Sequence, residues 1–278
     1  MTESPQFPSR FEVLPLGRSE EEAAQLPEPV RLTVTCSPRH GPDESLGMAR
    51  RLRAHGHAVT IHLAARMVRD PDHLDELLSG MADAGVDDVF LIGGDQTPPL
   101  GPYSSALELL PLVYGHPRRP YEIGIAGYPE GHPLIADDVL AEALERKSAC
   151  ASYITTQMCF DADAVLAWIR GTRERGVTLP VLVGVPGVVE RRKLLEISMR
   201  IGVGPSLSFV RKQRGLRSLL GKSKLTPDPP YEGVAAALDD RELGIAGFHY
   251  YTFNQLCETW KWHCERTQSG LFEEVVTT

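Results

Sequence analysis

Short runs of β-branched and other apolar residues alternate along this chain with longer stretches in which apolar positions return every three or four residues. The short runs are Phe11–Leu14, Arg31–Cys36, Ala58–His62, Asp88–Ile92, Tyr121–Ala126, Ser152–Thr155, Val181–Val185 and Ile245–Tyr251. Runs such as VFLIGG and IGIAGY are apolar almost without interruption, which predicts strands covered on both faces, as in a parallel sheet clothed in helices. Helical spacing predicts helices over Pro71–Ala84, Ala136–Cys150, Asp161–Glu174 and Arg191–Ile201, with Leu74, Leu77, Leu78 and Met81 forming one apolar stripe. Eight strands alternating with helices predict a single (β/α)8 TIM barrel. An open doubly wound sheet has the same local pattern. The phosphate-binding fingerprints GxGxxG and GxxxxGK[ST] of such sheets are both missing, which favours closure.

Composition narrows the class further. With 278 residues, 42% hydrophobic and 24% charged, the chain has the size and make-up of one compact barrel. The expected organisation is one domain over residues 1–278, with 1–9 and 269–278 frayed. Residues 202–230, rich in glycine, proline and basic side chains and without a clear strand, form a long functional loop region. Lysines and arginines number 29 against 37 acidic residues, a net charge of −8, so no general attraction to nucleic acid or an anionic membrane is expected. No run approaches the roughly 18 apolar residues of a membrane span, and MTESPQFPSR lacks a basic stretch leading into an apolar one. The expected location is the cytoplasm. Five scattered cysteines without a CxxC pair read as reduced thiols, and no metal site is expected.

Polar residues just after the strands of a β/α barrel face its C-terminal mouth, where ligands bind. Glu12, within RFEVLPL, has apolar neighbours that would desolvate its carboxylate and raise its pKa into the range of a general acid; a structural ion pair or a rim position is the other reading. Asp95 closes VFLIGGD and either faces a ligand or caps a helix beginning near Pro102. GIAGYPEGHP, Gly124–Pro133, gathers glycines, Tyr128, Glu130 and His132 in one loop, a ligand loop or a set of structural residues. Gln157 offers an amide suited to a heterocycle edge, or to a helix entry beside a capping Asp161. Tyr251 and Asn254 end the last strand, and the WKWHCE stretch beyond has the spacing of helix packing. Arg211, Lys212, Arg214, Arg217, Lys222 and Lys224 would suit an anionic ligand tail or a solvated loop.

FEVLP, TVTC, IHLAA, LIGGD, AGYPEGHP, LERK, TTQMCFD and GFHYYTFN occur here in the order in which methylenetetrahydrofolate reductases carry such segments, so the chain resembles that family from about Phe11 to Trp260. The resemblance implies a barrel with FAD at its mouth and NADH or NADPH as reductant. The folate substrate would be reduced from its methylene to its methyl form, in one-carbon metabolism that serves methionine biosynthesis. By match to the family motif, Glu12 is the acid and Asp95 a second catalytic group beside flavin and pterin, while Gln157, Tyr251 and Asp95 hold the folate. Thr35, His62, Gly94, Asp95, Tyr103, Ala126, Tyr128, His132, Arg146 and Lys147 match cofactor contacts. Three positions depart from the pattern: Gly94 replaces an arginine, Leu140 an acidic residue and Gln255 an arginine. The departures leave open a flavin-free transfer from NADH to the same folate, or a non-catalytic folate- or flavin-binding subunit. The partners implied are small molecules, with association into a homo-oligomer open.

Overall fold

The computed structural model describes the backbone of residues 9–16, 18–36, 39–190 and 224–273, and side chains as far as 267. Eight parallel strands close into a barrel: β1 (Ser9–Val13), β2 (Arg31–Val34), β3 (Ala58–Ala64), β4 (Asp88–Ile92), β5 (Glu122–Gly127), β6 (Tyr153–Thr156), β7 (Val181–Pro186) and β10 (Ile245–Tyr251). Around the barrel the order is β1-β10-β7-β6-β5-β4-β3-β2. Each predicted strand is present with ends shifted by at most a few residues, because runs that hydrophobic are stable only where both faces are buried. The described α-helices are α1 (Ser19–Ala24), α2 (Pro42–Ala54), α3 (Pro71–Asp83), α4 (Ala106–Tyr114), α5 (Asp137–Ser148), α6 (Ala162–Glu174), α7 (Asp228–Ala235) and α8 (Leu256–Glu273). The predicted stripe of α3, Leu74, Leu77, Leu78 and Met81, is buried. Asp161 caps α6 as expected, accepting from Ala164 N.

Two expectations change. The helix read as starting near Pro102 begins at Ala106, and the group that ties its entry is Glu108, whose carboxylate accepts from Ser104 N and Oγ. Asp95 therefore does not cap it. Within 202–230 only 224–230 are described, and they are not a bare loop. Lys224–Leu225 form β9, antiparallel to β8 (Val189–Glu190), and α7 starts at Asp228. Leu225 supplies the reason, burying with Val189 and Phe160 in a small cluster, while the prolines at the start of α7 suit a helix's first turn. Arg211, Lys212, Arg214, Arg217, Lys222 and the helix expected over Arg191–Ile201 lie outside the described residues. Lys224 pairs with Glu258 of α8 at 3.5 Å.

Alternation along β1 decides what fills the barrel. Phe11 faces outward and stacks on Tyr250, its edge against His263 of α8. Arg10 and Glu12 face inward. Arg10 lies at the N-terminal floor, where its Nη1 donates to Asp88 Oδ2 (2.7 Å), Thr60 Oγ1 (3.2 Å) and Tyr153 Oη (2.5 Å), and its Nη2 to Glu122 Oε2 (3.3 Å). Tyr153 in turn donates to Asp88 Oδ1 at 2.8 Å. Tyr153 can lie across the interior because Gly124 has no side chain: a Cβ there would stand 2.3 Å from the Tyr153 ring. The floor is thus a closed polar plug, and the open chemistry is left to the layers above.

Candidate active site

Glu12 sits one inward position above Arg10 on β1, next to Tyr251 of β10 and Thr33 of β2 in register. Its Oε2 is 3.3 Å from His249 Nε2 and 3.7 Å from His62 Nε2. Burial pushes the Glu12 carboxyl up to about 7, with His62 opposing the rise. The imidazoles shift the other way: burial takes His62 down to about 4 and His249 to about 3. Both are then neutral beside Glu12 at physiological pH, so the carboxyl is not locked into an ion pair and keeps a proton to give. Glu12 thus lies desolvated between two imidazoles, its carboxyl raised and theirs lowered.

Tyr251 bridges this inner group to the loops above. Its hydroxyl donates to Thr156 O at 2.9 Å, its ring meets His249 edge-on, and its phenol is pushed well above its ordinary value by burial, then by Glu12, Cys159 and Tyr128. Gln157 Nε2 donates to Gly131 O at 3.0 Å, joining the end of β6 to the GIAGYPEGHP loop. Tyr128 and His132 meet edge to face with centroids 5.3 Å apart, and the exposed Asp95 acts electrostatically on both. Gly94, immediately before it, has φ +84, and a Cβ there would meet Ala64 Cβ at 2.8 Å, so a close turn favours glycine at this position. Asp95, Tyr128, His132 and Gln157 therefore form an outer rim above Glu12, His62 and Tyr251.

The remaining predicted residues divide. Thr35 is buried at the end of β2 with Oγ1 unpartnered, and Ala126 ends an inward row of β5. Tyr103 is packed in the main core. Consecutive positions on α5 point in different directions: Lys147 is buried and held down to about 8 by desolvation, whereas Arg146 is mostly exposed, 3.8 Å from Glu142. Gln255 accepts from Glu190 N at 3.1 Å and so anchors β8. Two other polar residues singled out in the sequence are structural. Glu130 Oε1 accepts from Phe160 N and Asp161 N. Asn254, at φ +55, accepts from Leu14 N and donates to Leu16 O. The sequence reading missed His249, although it lies inside GFHYYTFN; its inward parity with Tyr251 on one strand was the available signal. A cleft of ≈ 350 Å³ also opens between α5 and α6, lined by Leu140, Leu144, Trp168 and Arg175, and of the predicted residues only Ala126 and Tyr128 reach it.

A residue able to hold phosphate should show in the protein by itself as a buried cation without an acid beside it. Lys147 meets that test: no described acidic group offsets its desolvation. Its charge suits a phosphate, while the unpartnered Thr35 hydroxyl and the Tyr128 ring are further groups that a cofactor could use.

These features define a parallel β/α-barrel protein with a desolvated acid in the mouth, a class built for acid-assisted chemistry on small molecules. The family model described as methylenetetrahydrofolate reductase matches residues 21–203, well over half of the chain, and the chain belongs to that family. Among curated relatives, methylenetetrahydrofolate reductase 2 of Saccharomyces cerevisiae is 29% identical over 123 residues, 40% of this chain and 20% of the relative. A probable methylenetetrahydrofolate reductase (NADPH) of Caenorhabditis elegans is 29% identical over 96 residues, 34% of this chain and 14% of the relative. A probable methylenetetrahydrofolate reductase (NADH) of Oryza sativa subsp. japonica is 26% identical over 134 residues, 41% and 22%. The matched part thus spans under a quarter of these relatives' length. Among the described residues no helix is long and apolar enough to cross a membrane.

Proposed function

We propose that this chain reduces 5,10-methylenetetrahydrofolate to 5-methyltetrahydrofolate with a reduced nicotinamide dinucleotide as the source of hydride. The observation that carries the reading is the Glu12 carboxyl, largely but not wholly buried, raised to about 7 and faced at 3.3 and 3.7 Å by two neutral imidazoles. Glu12 gives its proton to the folate nitrogen that leaves the one-carbon bridge. The carbon–nitrogen bond breaks with its electron pair going to that nitrogen, and the remaining iminium carbon accepts hydride, which balances one proton and one hydride against one methyl product. Asp95 and Gln157 line the rim through which the pterin enters, and Tyr251 closes the space above Glu12. Relatives whose names specify NADH and NADPH support a nicotinamide reductant of either kind.

FAD, when bound, would carry hydride between the two substrates in turn. Lys147 would hold its phosphates, with Thr35, His62, Gly94, Ala126, Tyr128 and His132 around it. A second reading, direct transfer from the nicotinamide to the folate, is favoured by Leu140, which puts an apolar side chain in the cleft wall where the family pattern has a polar acceptor, and by Arg146, which faces solvent near Glu142 rather than turning inward as Lys147 does. The visible spectrum of the purified protein, together with NAD(P)H oxidation assayed with methylenetetrahydrofolate, tests both readings. Turnover with a flavin spectrum supports the first, and a colourless active protein leaves only the second. Folded protein without turnover overturns the function.

A further inference from the structure

The two oxygens of the Glu12 carboxyl are not equivalent. Oε2 faces His249 Nε2 and His62 Nε2, while Oε1 has no hydrogen-bond partner among the described residues. We propose that His249 is a positioning residue for the proton donor: its neutral Nε2–H donates to Glu12 Oε2, fixing the carboxyl plane so that Oε1 presents the proton to the substrate. The inference rests on Glu12 being the acid of the proposed reaction.

Three observations support it. The distance is 3.3 Å, against 3.7 Å for His62, so of the two imidazoles only His249 is within hydrogen-bonding reach. The second nitrogen, His249 Nδ1, is buried without any partner. A proton on Nδ1 would be a buried N–H with no acceptor, which folded proteins avoid, so the proton belongs on Nε2, aimed at Glu12. The third is the charge beneath. Arg10, on the same strand as Glu12 and opposite His249 in register, opposes a cationic His249, adding to the effect of burial. Arg10 is itself held by Asp88, Tyr153 and Glu122, so it does not swing up to pair with Glu12. The ionisable groups facing Glu12 are thus Arg10 from β1, His62 from β3, and His249 and Tyr251 from β10. A cationic His249 would strip Glu12 of its proton; a neutral donor steers the carboxyl and leaves it an acid.

The ligand-free protein gives the first test. Nitrogen-15 NMR of its histidines, with His249 assigned through His249→Gln, is expected to show a neutral Nε2–H imidazole between about pH 5 and 8. An Nδ1–H tautomer or a cation in that range overturns the proposal, whether or not the protein reduces folate. Kinetics give the second. In His249→Leu the carboxylate loses a donor, so the alkaline limb of the kcat–pH profile moves up by roughly one pH unit, and kcat falls about ten- to a hundredfold with little change in KM. His249→Gln, which retains an amide donor, restores the limb. A limb that stays in place in His249→Leu reduces His249 to packing. Should His249→Leu fail to fold, carbon-13 titration of the Glu12 carboxyl in His249→Gln and wild type replaces it: matching midpoints support the donor, and a midpoint moved by more than about one unit in His249→Gln overturns it.

Discussion

Glu12 becomes an acid through its surroundings rather than its chemistry. A carboxyl in water ionises near 4.5; buried among Tyr251, His62 and His249 it holds its proton to about 7. The sign follows directly: the protonated donor is present below about 7 and is lost as pH rises through it. The kcat of folate reduction is therefore expected to fall on the alkaline side with a midpoint near neutrality, measured at saturating substrate. Glu12→Gln should lower kcat by about 10²–10⁴ while sparing hydride transfer to any bound flavin. Lys147 presents the opposite case, a buried ammonium with nothing to offset its desolvation, held down to about 8. Its folded pKa lies below the unfolded value, so it costs stability at neutral pH, and the cost fades as pH rises from about 8 toward the ordinary lysine value. Lys147→Met is expected to stabilise the ligand-free protein by on the order of 1 kcal/mol in thermal melts. Added FAD should then raise the melting temperature of wild type and raise that of the variant less.

At the scale of elements, the mouth is assembled by side chains that tie one βα connection to another. Asn254, after β10, accepts from Leu14 N at 2.8 Å and donates to Leu16 O at 2.9 Å, so it fastens the loop that follows Glu12. It also sits in the left-handed region that asparagine tolerates better than most residues. Asn254→Ala removes these bonds, together with a longer one from Nδ2 to Leu14 O at 3.3 Å, and adds strain, and is expected to cost about 2–3 kcal/mol in denaturant unfolding with an unchanged slope. Gln255 and Glu130 work in the same way, the first anchoring β8 and the second binding the two amides that lead into α6. The sequence showed these residues as polar positions near strand ends, which is how ligand contacts look too. Only the distances separate a loop clasp from a binding group.

At the scale of the whole molecule, Arg10 is the clearest product of closure, since its partners Thr60, Asp88, Glu122 and Tyr153 come from four other strands. Arg10→Met leaves buried Asp88 with only the half-exposed Arg31, 3.6 Å away, as its cation and is expected to cost about 3 kcal/mol. Pairing it with Asp88→Leu should recover part of that loss in a double-mutant cycle. Hydrophobic periodicity by itself determined the eight strands, the stripe of α3 and the parallel character of the sheet, because burial on one or both faces is a local property of the residues that must be buried. Glu12 and the GIAGYPEGHP loop were legible for a related reason: polar groups at the ends of apolar strands stand out against their neighbours. The tertiary structure decided which of those groups meet. His249 and Glu12 are 237 positions apart and come together because β1 pairs with β10 when the barrel closes. The raised Glu12 carboxyl, the lowered His249 imidazole and the lowered Lys147 ammonium all owe their largest shift to desolvation, a property of the closed barrel that no stretch of chain possesses alone.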